Sequence, residues 1–250
     1  MTIGRLQLGS NTRWLSLVAI LLALTPAVAQ FPDKFTNSQV LPRDISKNDL
    51  QATMRGFAFA LNVRCPYCHV QKADTKMDFP ADGKDTKKTA RVMLQMIAAI
   101  NRDYVSKIGK PSPMQVECVT CHRGLTQPRV LNAVLAETIE KQGIDGAIKQ
   151  YHDLRSQYYG TGQYDFGETP LNQLAESLLA KEKNKEAIAM MEMNFAANSP
   201  ISVWSYHMLA MSHQANGEIE KAKADYSKVY ELHPDDSWAK QQIDALSKPK

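Results

Sequence analysis

The chain has 250 residues, 44% of them hydrophobic and 22% charged. These proportions belong to an ordinary globular protein and exclude a disordered or fibrous one, and the length allows two modest domains. The formal charge of +4 is unevenly spread. Residues 64–129 hold 12 Lys/Arg against 6 Asp/Glu, and residues 130–250 hold 12 against 17. Such asymmetry points to two regions with different partners.

In chain order, Arg5 and Arg13 give a basic start, residues 14–24 are an almost unbroken apolar run, and Ala27-Val28-Ala29 is a small-x-small cleavage site. Residues 1–29 therefore read as a secretory signal peptide cleaved near Ala29, with an uncleaved anchor as the alternative. The expected location is the periplasm, with any hold on the inner membrane supplied by partners.

Ser46 and Asp49 are spaced as a capping box and open a helix over 49–62, whose apolar stripe is Leu50, Met54, Phe57 and Leu61. A short turn then leads into Cys65-Pro66-Tyr67-Cys68-His69. A second helix is expected from 86 to 108, ending at Gly109 with Pro111 beyond, and its stripe is Met93, Met96, Ile97, Ile100 and Tyr104. It is followed by Cys118-Val119-Thr120-Cys121-His122.

All four cysteines of the chain fall in these two Cys-x-x-Cys-His segments. The pattern is the c-type haem attachment signature. Each thiol adds to one haem vinyl group, the two-residue gap lets both sulfurs reach one ring edge, and the adjacent His lies under the iron. Two covalently bound haem c groups are expected, held by Cys65, Cys68, Cys118 and Cys121, with His69 and His122 as proximal ligands. Disulfides, a zinc site and a thioredoxin-like pair also fit paired cysteines, but none explains why His follows both times. A methionine thioether from Met54, and from Met96 or Met93, is placed to fill the sixth position of each iron. The competing reading makes these methionines core filler on an apolar stripe.

From about residue 131 onward the pattern is helical and repetitive. Tyr206, Leu209, Ala210, His213, Ala222, Tyr226 and Pro234 fall at the spacings of a tetratricopeptide helix pair. Leu171, Leu174, Ala175, Leu178, Ala187 and Met191 repeat them 35 residues earlier. Residues 144–158 resemble one more second helix, with Ala147, Tyr151 and Leu154 in register, and a final helix from 237 to 246 caps the stack. The loop 160–167, flanked by Tyr158 and Tyr159 and carrying Tyr164 and Phe166, either packs one end of the stack or lines a groove. His152, His207, His213 and His233 are alternative distal ligands, and His213 also fits a structural role.

The stretch from about 40 to 128 resembles the cytochrome c subunit of photosynthetic reaction centres and its non-phototrophic relatives. The resemblance is carried by residues 50–57 (LQATMRGF), 64–70 (RCPYCHV), 90–97 (ARVMLQMI) with Ile100 and Asn101, and 119–124 (VTCHRG). In that family a helix bearing an axial Met precedes each attachment motif. The resemblance therefore implies Met54 as a ligand and favours Met96 over Met93. The photosynthetic subunit carries four haems in two such pairs, whereas this chain has cysteines for one pair.

The expected fold is all-α: a small di-haem domain over 30–129 and a tetratricopeptide-type solenoid over 130–250. The expected function is electron carriage, the first haem taking an electron and the second passing it on. Redox proteins associated with a membrane are the expected partners, with a further protein or peptide docked by the repeats and no nucleic acid. Lys84, Lys87 and Lys88 are bunched and are expected to steer an acidic partner. The alternatives are a di-haem peroxidase and a haem-containing docking or assembly protein. No Ser/His/Asp set, phosphate loop or paired-carboxylate site stands out.

Overall fold

The computed structural model describes residues 35–109 and 114–248. The signal-peptide segment and Pro111 lie outside the described residues. Nine α-helices and one two-stranded hairpin account for the regular structure among them, so the architecture is all-α. The chain divides into two compact units: one comprises residues up to Arg55 together with Val63–Val116, the other Gly56–Asn62 with Glu117 onward.

The first helix, α1 (Lys47–Leu61), gives its residues up to Arg55 to the first unit and begins where Ser46 Oγ accepts from the Asp49 N–H at 3.1 Å. The box is closed differently from its usual form: the Ser46 hydroxyl donates to the Asp49 carboxylate at 2.6 Å. Leu50 of the expected stripe is buried, and Met54 is partly buried. A 3-10 turn, Cys65–Tyr67, with Pro66 in its first turn, leads into the antiparallel hairpin β1 (Val70–Gln71) and β2 (Met77–Asp78).

The next helix, α2 (Asp85–Asp103), is shorter at its end than the sequence pattern suggests. Tyr104 leaves the helical region (φ −122°, ψ −59°), and Val105–Lys107 tighten into a 3-10 turn. Ser106 Oγ donates to the carbonyl of Arg102 at 2.5 Å, satisfying an acceptor that the ended helix frees. No residue of α2 is buried.

The second unit starts with α3 (Cys118–His122), opened by a reciprocal capping box between Glu117 and Thr120. The repeat stack follows: α4 (Leu131–Tyr158), α5 (Glu168–Leu179), α6 (Asn184–Ala197), α7 (Val203–Ala215), α8 (Ile219–Leu232) and α9 (Ser237–Leu246). Gly143 (φ 76°, ψ −176°) bends α4 into two helices, one over 131–142 and one over 144–158. That conformation is open essentially to glycine alone. With the bend, three helix pairs and a capping helix succeed one another, which is the solenoid expected from the repeat.

The repeat positions are the core. Ala147, Tyr151, Leu171, Leu174, Ala175, Leu178, Ala187 and Met191 are all buried in one cluster, and Ala210, Ala222 and Tyr226 in a second. A buried polar network crosses the first cluster. Asn172 Oδ1 accepts from Asn194 Nδ2 at 2.9 Å and from Ser205 Oγ at 3.0 Å, and Glu168 accepts from the Ser202 N–H at 2.9 Å. Phe166 is buried, and its ring meets Tyr151 edge-on at 5.8 Å, so the aromatic loop packs against the stack.

Candidate haem attachment sites

Each Cys-x-x-Cys-His segment folds into a single tight turn. At the first, His69 N–H donates to Cys65 O at 3.0 Å, and the turn is held by two groups from the start of α2. Thr86 Oγ1 donates to Tyr67 O at 2.6 Å, and Lys84 Nζ donates to Pro66 O. At the second, α3 spans the whole motif, and Arg123 (φ 46°) and Gly124 (φ 88°) end it in left-handed conformations. Gly124 N–H donates to Ala60 O at 2.8 Å. A Cβ at Gly124 would meet the Gln163 amide at 2.7 Å, so the aromatic loop lies against this turn, and φ 88° favours glycine there.

None of the four cysteines is paired in a disulfide. Burial raises the Cys68 and Cys118 thiols above their ordinary pKa. Among the described residues, no group of three or more His, Cys, Asp or Glu side chains gathers to hold a metal ion.

Both imidazoles are oriented through Nδ1. His122 Nδ1 is 2.7 Å from Leu125 O, and His69 Nδ1 is 3.2 Å from Phe79 O, with the Phe79 ring edge-on at 5.1 Å. Neither Nε2 has a hydrogen-bond partner among the described residues. Burial foremost, and then the charge of Lys87, hold His69 below its ordinary pKa, so it is a neutral ring at pH 7.

This donor set fits covalent haem. Two thiols and an imidazole stand in one turn, and an Nδ1–H···O=C bond fixes the tautomer that leaves Nε2 for a metal. Met93 and Met96 are 37% and 45% exposed on α2. Neither belongs to a buried core cluster among the described residues. Met54 on α1 is partly buried in the same unit as His69.

The other histidines lie in the repeat unit. His213 Nδ1 is 2.7 Å from the half-buried Asp225 carboxylate, and His207 Nε2 is 2.8 Å from Asp236. His152 stacks edge-on against Tyr151, and His233 is exposed.

One expectation about the surface needs correction. Lys87 is only 11% exposed and is held by three carbonyls and Asp82, so it is not a steering charge. Lys84 is bound to the attachment turn, and Lys88 is paired with Asp85 at 2.8 Å.

The functional residues that sequence reasoning missed are the ones that act through the backbone. Phe79 and Leu125 contribute carbonyls, which no side-chain pattern announces. The hairpin that carries Phe79 turns through Thr75 at φ 67°, without the Asn-Gly or Asp-Gly signal of a tight hairpin.

The fold and these two turns define an all-helical protein with paired c-type attachment segments and a repeat stack. The family described as photosynthetic reaction centre cytochrome C subunit matches residues 22–202, and the chain belongs to it. No curated protein matches the chain. Among solved structures, the first TPR domain of the human RPAP3 protein, determined by NMR, is similar at 20% identity and TM-score 0.33, over 47% of this chain and 87% of that one. The second TPR domain of the same human protein, in complex with an HSP70 peptide, is similar at 14% identity and TM-score 0.34, over 48% and 93%.

Proposed function

We propose that the protein is a di-haem c-type cytochrome that carries electrons in the periplasm, with its repeat unit docking a partner protein. The observation that carries this reading is the repeated arrangement of two thiols and an imidazole whose Nδ1 is tied to a carbonyl.

Cys65 and Cys68 hold one haem c, and Cys118 and Cys121 the other. His69 and His122 are the proximal ligands, Met54 and Met96 the distal ones, with Met93 as the alternative to Met96. When bound, haem supplies reversible one-electron chemistry between ferrous and ferric iron. The chain's own contribution is to fix the imidazole tautomer, exclude water with apolar side chains and hold the attachment turns rigid. A thioether at each sixth position favours electron transfer over ligand binding. Among the described residues no helix is long and apolar enough to cross a membrane. Redox partners at a membrane surface, and a protein or peptide bound on the concave face of the repeats, complete the proposal.

A pyridine haemochrome assay on the exported protein tests it, with two c-type haems per chain expected. Met54→Ala is expected to remove part of the weak far-red band of Met-ligated ferric haem. One haem per chain, or none, would overturn the reading.

A further inference from the structure

The two attachment histidines have the same kind of partner but not the same bond. His122 Nδ1 meets Leu125 O at 2.7 Å, within its own turn. His69 Nδ1 meets Phe79 O at 3.2 Å, and that carbonyl also accepts from the Lys87 ammonium at 2.8 Å. Lys87 further donates to Pro80 O at 3.0 Å and Ala81 O at 2.9 Å, and pairs with Asp82 at 3.0 Å. Asp82 is held in turn by Arg91 at 2.9 Å. The ammonium is thus locked by four oxygens and scarcely reached by water.

Two donors compete for Phe79 O. The charged one makes the shorter and stronger bond, and the imidazole is left with the longer. An imidazole N–H that donates to a strong acceptor gains basicity at its other nitrogen, and a more basic ligand favours the more highly charged metal. His122, whose acceptor has no second donor among the described residues, is the stronger donor of the pair. His69, sharing its acceptor, is the weaker. The positive charge of Lys87 acts in the same sense, because it disfavours further positive charge nearby.

We propose that Lys87 is a positioning residue that, through the Phe79 carbonyl, holds the haem on His69 at a higher midpoint potential than the haem on His122. The proposal rests on the di-haem reading above. It reverses the order that chain position suggests: at equilibrium an electron settles on the His69 haem and leaves from there.

The test uses the full-length holoprotein. Haem content is measured first, and fewer than two per chain sinks the haem reading and this proposal with it. With two haems present, optical redox titration is expected to resolve two potentials. In Lys87→Met the higher one should fall toward the lower, while the lower stays in place. Lys87→Arg, which keeps charge and donors, should retain most of the separation. Lys88→Met, which removes an exposed charge one residue away, should move neither.

Nitrogen-15 histidine NMR of the reduced protein assigns the shift. The Nδ1–H of His122 should resonate downfield of that of His69, and only the His69 signal should move downfield in Lys87→Met. Unchanged potentials in Lys87→Met would overturn the proposal, as would an equal fall in Lys88→Met. If Lys87→Met does not load haem, Lys87→Gln and the wild-type NMR comparison decide. A His69 Nδ1–H at or downfield of the His122 signal refutes it.

Discussion

Asn101 on α2 makes two bonds to one residue, as a neighbouring strand would. Its Nδ2 donates to Val116 O at 2.8 Å, and its Oδ1 accepts from Val116 N–H at 2.8 Å. The partners lie 15 residues apart in the chain, and Val116 stands two residues before Cys118. Replacing Asn101 with Ala removes both bonds and leaves a half-buried peptide to find water. Each bond contributes about 0.5–1.5 kcal/mol net, so the expected loss is roughly 2 kcal/mol. Amide exchange at Val116 in the full-length protein is the direct assay. At 1.4 kcal/mol per decade, the loss corresponds to roughly 30-fold faster exchange. Asn101→Asp keeps the acceptor for Val116 N–H but sets a carboxylate against Val116 O. It should be as destabilised as Ala at pH 7 and recover in acid, when the protonated acid donates. Wild-type protection of Val116 in Asn101→Ala would refute the reasoning. It would mean that the segment entering the second attachment turn is held by something other than this side chain.

Further outcomes follow from the repeat unit. Gly143→Ala meets no steric obstacle, since nothing lies within 4 Å of the added Cβ. It still costs roughly 1–3 kcal/mol, because φ 76° with ψ −176° is closed to L side chains, and urea unfolding should show it. Met191→Ala opens a cavity in a fully buried position and should cost about 2–5 kcal/mol in the same assay. Burial pushes the Glu168 carboxyl up, but hydrogen bonds from Ser205 and Ser202 outweigh it and hold the pKa below its ordinary value. A depressed carboxylate stabilises the fold above its unfolded pKa, and that contribution fades as the pH falls through the folded one. Glu168→Gln is therefore expected to flatten part of the acid-side loss of stability, read from thermal midpoints at a series of pH values.

Much of the repeat unit was legible because its signal is periodic. Apolar residues that recur every 35 positions have to be buried, and Ala175 with Ala210, Ala187 with Ala222, and Met191 with Tyr226 are. The Gly143 bend was legible only as a glycine inside a helical pattern, and its left-handed φ is a property of how the two helices must fold back. The pattern predicts a helix to 108, but α2 ends at Asp103 and Val105–Lys107 tighten into a 3-10 turn, a change of winding that apolar periodicity does not register.

The Cys-x-x-Cys-His motif belongs to the sequence itself: it places two thiols and an imidazole within five consecutive residues. What surrounds each imidazole is decided by tertiary structure. Phe79 O reaches His69 because a hairpin with no strong turn signal returns the chain, and Lys87 reaches Phe79 O because α2 starts beside it. In the sequence Lys87 is one of three bunched lysines and reads as a surface charge. In the folded chain it is the dehydrated one, because four oxygens brought from separate residues replace its water. Local pattern can specify a ligand, while the field acting on that ligand depends on groups that only folding makes neighbours.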